Sequence, residues 1–180
     1  MSSVLVITTS LRAKSNTDIL AKRLIDGAAD AGHQVEQIEL KGKTIHFCIG
    51  CMACQKTQQC IRKDDAVWIA EKVRNADTLV FVTPVYYYEM SGQMKTLLDR
   101  MNPLYTSEYR FRNVYLLTAA ADDRPETPDK AKNGLQGWVD CFEHAALVDS
   151  LFCGGINDPG EAASHASALD AAYAFGKKLL

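Results

Sequence analysis

The chain has 180 residues, of which 47% are hydrophobic and 23% charged, with 11 Gly and 5 Pro. These values are typical of one globular domain with a buried core, and they exclude a disordered or fibrous protein. The net charge of −2 provides no positive field that would attract nucleic acid or an anionic membrane. No apolar run is long enough to cross a bilayer, and no basic signal-peptide segment starts the chain. We therefore expect a single cytoplasmic domain over residues 1–180, with neither nucleic-acid nor membrane partners.

The first elements are a buried strand, a helix and a more exposed strand. The β-branched run Val4–Thr8 predicts a strand buried on both faces. A helix follows, with Ser15 as its N-cap, Asp18 near the positive end of its dipole and Ala31-Gly32 as its stop. Residues 34–40 predict a second strand, closer to a sheet edge.

The alternation of helix and strand continues to the end of the chain. Asp64 and Asp65 are placed to cap a helix, and the run Thr78–Thr83 predicts a strand that Pro84 ends by removing a backbone donor. The remaining predicted elements are a helix at 93–101, a strand at 114–118, a helix at 133–144, a strand at 146–152 and a closing helix at 161–180.

Five such alternations predict an α/β fold with a doubly wound five-stranded parallel sheet, covered by helices on both faces as a three-layer α/β/α sandwich. Ligands of such sheets bind outside the carboxyl ends of the strands, where the strand order reverses. The loops after the first, third and fourth strands are therefore the candidate binding loops.

The loop after the first strand is suited to a phosphate group. Residues 9–17 place four hydroxyl groups, two cations and an amide before a helix N-terminus, where free backbone N–H groups favour an anion. The Walker pattern and G-x-G-x-x-G are both absent, which argues against a nucleoside triphosphate and a Rossmann dinucleotide. The alternative is that these serines and threonines only cap the helix.

The loop after the third strand is suited to a flat aromatic ligand. Three consecutive tyrosines, Tyr86 to Tyr88, follow Pro84 and cannot all be core residues. The alternative is a surface turn whose tyrosines pack at an oligomer interface. Asp99 and Arg100, at the end of the next helix, are interpreted as structural ion-pair formers.

Two motifs together resemble the NAD(P)H-dependent FMN reductases, a family with the flavodoxin-like fold. They are T-P-V-Y-x4-S-G-x2-K-x3-D-R over residues 83–100 and S-N-T at 15–17. The sequence departs from the family at Thr9-Ser-Leu-Arg12, commonly Gly-Ser-Pro-Arg, and at three alanines that replace glycines. The resemblance implies an FMN phosphate held by Ser10, Arg12, Ser15, Asn16 and Thr17, a flavin ring and ribityl chain along Pro84, Val85, Tyr86 and Tyr87, and a second side formed by Ala119, Ala120 and Ala121.

The same resemblance implies an oxidoreductase. NAD(P)H delivers hydride to FMN, and the electrons pass to a second acceptor such as a quinone, free flavin or another small molecule. Because the flavin carries the chemistry, no catalytic side chain is assigned. The resemblance also implies a homodimer or homotetramer. The histidines His33, His144 and His165 have no partners at metal-ligand spacing and are interpreted as structural.

Six cysteines are unusual for this composition, and four lie in a cysteine-rich loop at about 46–63. Without a signal peptide they suggest metal or redox chemistry rather than disulfides. The spacing C-x2-C-x2-C-x5-C of Cys48, Cys51, Cys54 and Cys60 resembles that of iron-sulfur flavoproteins, which implies a [4Fe–4S] cluster. The alternatives are zinc and free or partly oxidised thiols.

Three further expectations concern the cysteines. Lys56, Arg62 and Lys63 lie nearby and favour thiolates. Cys141 and Cys153 are interpreted as buried packing residues. The cysteine-rich loop also leaves two other functions open: an electron carrier with FMN and a cluster, fed by a ferredoxin-like donor, and a redox-sensing protein whose thiols respond to oxidant.

Overall fold

The computed structural model describes residues 2–180 and contains six strands and six α-helices, which mostly alternate along the chain. The strands are β1 (Ser3–Thr8), β2 (Gln34–Glu39), β3 (Thr78–Tyr86), β4 (Glu89–Met90), β5 (Asn113–Ala119) and β6 (Ala146–Cys153). The α-helices are α1 (Asn16–Asp30), α2 (Ala53–Thr57), α3 (Asp65–Asn75), α4 (Gly92–Arg100), α5 (Asp129–Val139) and α6 (Ala166–Lys177). Short 3-10 helices cover Asn102–Leu104 and Glu161–Ser164.

Five strands form a parallel sheet in the order β2-β1-β3-β5-β6, and the two-residue β4 pairs antiparallel with the end of β3. The prediction of a five-stranded parallel sheet is confirmed. The chain moves outward from β1 to β2 and then crosses back to β3, so the strand order reverses between β1 and β3. In a sheet of this topology, that reversal opens a crevice at the carboxyl ends of the two strands.

Helices cover both faces of the sheet, as the three-layer prediction requires. Successive strand residues point to opposite faces, so Val4 and Val6 join one hydrophobic cluster while Leu5 and Ile7 join the other. Helices α1 and α6 contribute to the first cluster, and α3, α4 and α5 contribute to the second. Within residues 2–180, no helix has the length and apolar character needed to cross a membrane.

Helices α1 and α6 approach each other closely because each has a glycine at the contact. A Cβ atom at Gly27 would lie 2.1 Å from the carbonyl oxygen of Tyr173, and one at Gly176 would lie 2.0 Å from that of Leu24. Any larger residue at either position must push the helices apart.

Three element boundaries differ from the predictions. Strand β3 does not end at Pro84 but continues to Tyr86, with Pro84 in register with Ala119. Strand β1 ends opposite Val82, so at Pro84 only β5 lies beside β3. A proline is tolerated there because no strand on the other side needs its backbone N–H. The closing helix is interrupted at His165, because the 3-10 turn before it is tied to α1 through a hydrogen bond from Ala162 N to Asn16 Oδ1.

The helix predicted at 133–144 is present but begins and ends earlier, since α5 covers Asp129–Val139. Apolar residues continue at helical spacing beyond its end because Phe142 packs, outside the helix, against Trp138, Phe111 and Tyr109. This early end leaves Cys141 exposed, contrary to prediction, whereas Cys153 is buried as predicted.

Candidate functional site

A cleft of about 170 Å³ lies at the carboxyl ends of β1, β3 and β5, where the topology predicts a ligand site. Its walls are the β1–α1 loop, the end of β3 and the loop after β5. Every residue that the flavin resemblance singled out lines this strand-end cleft, except Tyr87, whose side chain is 98% exposed. The lining residues are Ser10, Arg12, Ser15, Asn16, Thr17, Pro84, Val85, Tyr86, Ala119, Ala120, Ala121, Ile156 and Asn157.

Ile156 and Asn157 were missed by the sequence analysis. They follow β6, which lies beside β5 in the sheet, so their loop borders the loop of Ala119 to Ala121. The prediction of candidate loops stopped at the fourth strand, although the loop after the fifth strand ends at the same sheet edge.

The N-terminus of α1 forms the polar end of the cleft. Ser15 is its N-cap, as predicted, and its hydroxyl accepts a hydrogen bond from Asp18 N at 3.2 Å and pairs with Thr17 Oγ1 at 2.9 Å. The backbone N–H groups of Asn16 and Thr17 belong to the first turn, which has no intrahelical acceptors for them. Together with the helix dipole and the Arg12 guanidinium, these donors favour an anion.

The side chain of Asn16 bonds to the loop after β6. Its Nδ2 donates to Asp158 O at 2.9 Å, and its Oδ1 accepts from Ala162 N at 3.1 Å. Arg12 Nη1 likewise donates to Asn157 O at 2.7 Å. Both side chains therefore hold the loop after β6 against the cleft, and the backbone N–H of Asn16 is the donor available to an anion.

Asp18 does not behave as a simple helix-capping carboxylate. Burial and the nearby Glu39 raise its pKa from 3.8 to about 6, although Ser15 and Thr8 act in the opposite direction. The expected benefit of an acidic residue near the positive end of the helix dipole is thus outweighed by desolvation.

A buried hydroxyl network fixes the turn after β3. Thr83 Oγ1 bonds to Ser91 Oγ at 3.1 Å and accepts from Ser91 N at 3.0 Å, while Thr9 Oγ1 lies 3.0 Å from Ser91 Oγ. Between them, Tyr87 and Tyr88 adopt φ angles of 51° and 65°, which bulky residues rarely do. Tyr86, Tyr87 and Tyr88 are exposed, in agreement with the prediction that the three cannot all be core residues.

A charged group lies close to the cleft and includes one of these tyrosines. Arg124 Nη2 donates to Tyr88 Oη and to Asp122 Oδ2, both at 2.6 Å, and its guanidinium carbon lies 5.6 Å from the centre of the Tyr88 ring. Arg124 holds the pKa of the Asp122 carboxyl well below its usual range. Sequence spacing contained no signal for this group, because the contact joins residues 36 positions apart.

All four cysteines of the motif line a second cavity, formed by the cysteine segment (residues 46–63), the end of α4 and Asn102. Their thiols are free. Chain reversals at Gly50, Met52 and Gln58, all with positive φ, bring the cysteines to one side. Hydrogen-bond donors point at three of the sulfurs: Gly50 N to Cys48 at 3.4 Å, Asn102 Nδ2 to Cys54 at 3.6 Å and Arg100 Nη2 to Cys60 at 3.3 Å.

Cys54 is the buried cysteine of this segment. Burial raises the pKa of its thiol, and the proximity of the other three sulfurs adds to this effect. That Lys56, Arg62 and Lys63 favour thiolates stays a prediction.

The interpretation of Arg100 as a structural ion-pair former is confirmed, but its partner is Asp64, at 2.6 Å, in a pair with side chains 1% and 2% exposed. Asp99 instead pairs with Lys95 at the surface.

The strand order, the polar loop between β1 and α1 and the cleft beside β3 and β5 define a flavodoxin-like α/β protein. The sequence model of the NADPH-dependent FMN reductases matches residues 2–141, and the chain belongs to this family. It is accordingly an oxidoreductase with FMN as cofactor and NAD(P)H as co-substrate.

Individual proteins are also similar to this chain in sequence or in structure. An iron-sulfur flavoprotein of Methanocaldococcus jannaschii is 31% identical over 157 residues, which cover 87% of this chain and 77% of that protein. An iron-sulfur flavoprotein of Archaeoglobus fulgidus is 38% identical over 100 residues, covering 56% of this chain and about half, 49%, of the relative. The structure of an NAD(P)H:quinone oxidoreductase from Methanothermobacter marburgensis superposes with a TM-score of 0.76 at 17% identity, over 98% and 94% of the two chains, and confirms the fold.

Proposed function

We propose that this flavin oxidoreductase takes hydride from NAD(P)H and passes electrons to a second acceptor. We also propose that the chain holds a [4Fe–4S] cluster in addition to FMN, bound by Cys48, Cys51, Cys54 and Cys60. The observation that carries the proposal is the meeting of all four cysteines at one cavity, with N–H donors directed at three sulfurs. FMN supplies both hydride and single-electron chemistry when bound, and a cluster exchanges single electrons.

The donor set suits an iron-sulfur cluster. Soft thiolates select iron-sulfur clusters, zinc or Cu(I), and hydrogen bonds to the sulfurs stabilise their negative charge. Across residues 2–180, no three His, Cys, Asp or Glu side chains are grouped tightly enough to hold a single metal ion. A cluster with four irons binds each thiolate at a different corner and so tolerates wider sulfur spacing than tetrahedral zinc does. The curated relatives named above are both iron-sulfur flavoproteins, which favours the same choice.

The strand-end cleft suits the flavin. Ser15, Thr17 and the first backbone N–H groups of α1 are placed to bind the phosphate, with Arg12 supplying positive charge. Pro84, Val85 and Tyr86 offer an apolar wall for the ring, and the small side chains of Ala119 to Ala121 leave space on the opposite side. These residues bind and orient the flavin and transfer no proton.

A groove beside the cleft favours a second candidate, a reductase of a small apolar acceptor such as a quinone that needs no cluster. It measures about 400 Å³ and extends from Leu11, in the β1–α1 loop, to Phe47, next to Cys48. Leu40 and Ile45 supply further apolar lining. Phe47 is 77% exposed and Leu11 49%, so a flat apolar molecule would cover surface that is otherwise in contact with water.

Anaerobic purification followed by absorption spectroscopy and assays of iron and zinc tests these functions. We expect FMN and about four irons per chain, in line with a [4Fe–4S] cluster, and flavin bands that bleach with NADH or NADPH. Replacement of Cys51 by Ser should remove the iron and keep FMN, whereas Cys141→Ser, at an exposed cysteine outside the segment, should remove neither.

The other outcomes separate the alternatives. Flavin that bleaches in a protein without iron identifies the quinone-type reductase, and zinc in place of iron refutes the cluster. A cluster with a flavin that nicotinamide does not reduce identifies an electron carrier with a ferredoxin-like donor. A colourless protein that binds no FMN refutes all three flavin functions and leaves the redox-sensing protein.

A further inference from the structure

Arg100 is a buried cation at the edge of the cysteine segment. It is the last residue of α4, and its side chain is 1% exposed. A fully buried guanidinium is costly unless its donors are paired. An arginine side chain keeps its proton in proteins, so the buried group is charged and needs acceptors for its N–H groups.

The guanidinium joins the two ends of the cysteine segment. Nη1 donates to His46 O at 2.7 Å and to Asp64 Oδ2 at 2.6 Å. Nη2 donates to Asp64 Oδ1 at 2.8 Å, to Arg62 O at 3.3 Å and to Cys60 Sγ at 3.3 Å. Asp64 Oδ2 in turn accepts from His46 N at 2.8 Å. The Arg100 guanidinium thus contacts His46, which precedes the first cysteine of the segment. It also contacts the last cysteine, Cys60, and two residues that follow it, Arg62 and Asp64.

We propose that Arg100 is a positioning residue of the four-cysteine site, which closes the segment around the cluster and raises the reduction potential of that cluster through its N–H bond to Cys60 Sγ. The inference rests on the proposed function, because it needs a cluster on these cysteines. Asp64 has the opposite effect on the reduction potential, because its carboxylate, 2.6 Å from the Arg100 guanidinium, partly neutralises that positive charge.

The direction of each effect follows from charge. Reduction adds an electron to the cluster, and a hydrogen bond to a ligating sulfur stabilises the added negative charge, so loss of that bond lowers the potential. Asp64 partly cancels the positive charge of Arg100, so neutralising Asp64 leaves more positive charge near Cys60 and raises the potential. A residue that only stabilises the fold would not produce shifts of opposite sign in these two variants.

Two conservative substitutions test the roles separately. Arg100→Lys keeps a cation but loses the planar fork that contacts Cys60 and Asp64 together. Asp64→Asn keeps an acceptor for the neighbouring backbone N–H groups but removes the charge. Arg110→Lys is the matched control, because Arg110 is 62% exposed and pairs with Asp77 away from the cysteines.

The measurement is a redox titration of the complete, cluster-loaded chain, followed by electron paramagnetic resonance for the cluster and by absorbance for FMN. In Arg100→Lys we expect the ratio of reduced to oxidised cluster at a fixed potential to fall about tenfold, which corresponds to about 59 mV for one electron. In Asp64→Asn we expect the ratio to rise. The FMN potential should stay unchanged in both variants, and Arg110→Lys should behave as the unmodified chain.

Unchanged cluster potentials in loaded Arg100→Lys and Asp64→Asn would overturn the inference, as would shifts in the same direction. If Arg100→Lys folds but loses iron while the control keeps it, the positioning role is supported. If Arg100→Lys does not fold, Asp64→Asn decides alone: a higher potential supports the inference, and the same or a lower one refutes it. Absence of iron from the unmodified chain is a failure of the proposed function and is visible before any variant is made.

Discussion

Replacement of Ser15 by Asp should separate phosphate binding from helix capping. Ser15 caps α1 through a 3.2 Å hydrogen bond from Asp18 N and lines the strand-end cleft. Asp is as good an N-cap as Ser, so α1 stays capped. Ser15 is buried, however, so the new carboxylate loses hydration, and we expect the free energy of unfolding to fall by about 1 to 3 kcal/mol. The new carboxylate also stands where the FMN phosphate is proposed to bind.

The expected loss of affinity follows from Coulomb's law. Two unit charges about 4 Å apart repel by about 4 kcal/mol at the effective dielectric constant near a protein surface, and an open cleft screens part of this. A remaining repulsion of about 3 kcal/mol weakens FMN binding roughly 100-fold. Riboflavin lacks the phosphate, so its affinity should fall less than about threefold.

Flavin fluorescence titration of the cofactor-free chain with FMN and with riboflavin measures both affinities, and urea unfolding measures stability. Ser167→Asp is the control, because it adds the same charge to the first turn of α6 at an exposed position outside the cleft lining. Undiminished FMN binding in Ser15→Asp, or an equal loss of FMN and riboflavin binding, would show that the phosphate does not bind at this helix end.

Two further predictions concern stability. The pKa of Asp18 is raised from 3.8 to about 6, so folding favours its protonated form. The stabilisation of the folded state by this proton is complete below about pH 4 and is lost as the pH rises through 6. Asp18→Asn should therefore stabilise the chain at pH 8, by about 1 to 2 kcal/mol after solvent screening, and have little effect at pH 4. Urea unfolding at both pH values measures this difference. An equal effect at both would refute the claim that desolvation raises the pKa of Asp18. Gly176→Ala should destabilise by about 1 to 3 kcal/mol or more, because its Cβ would lie 2.0 Å from Leu24 O; thermal unfolding measures the loss, and Gly137→Ala, where a Cβ meets no atom within 4 Å, is the control. A melting temperature as high in Gly176→Ala as in that control would contradict the close helix contact.

Local sequence patterns were sufficient for most of the fold. The strands from Val4 and from Thr78 were predicted from short β-branched runs, and Ser15 from its place between polar loop and apolar helix. Each signal depends on residues a few positions apart, so it is visible without the fold. The helix near Phe142 was misplaced because its apolar spacing reflects packing on other aromatics rather than continued helix.

The cleft could be anticipated because parallel strands end at one sheet edge, so loops that are far apart in sequence meet there. The contacts that each side chain makes in the cleft could not be anticipated from the sequence. Only the structure shows that the side-chain amide of Asn16 bonds to Asp158 and Ala162, more than 140 positions away. Hydrogen bonding of this kind leaves no periodicity in the sequence.

The sequence alone determined the order of the elements, the polar loop before the first helix and the four clustered cysteines, because each depends on residues that are close together in the chain. Only the tertiary structure decided which charges stand beside those cysteines. The pairing of Arg100 with Asp64 spans 36 positions and joins the end of one helix to the start of another. Its effect depends on burial and on distances of 2.6 to 3.3 Å, which exist only after the sheet has brought both helices to the same face.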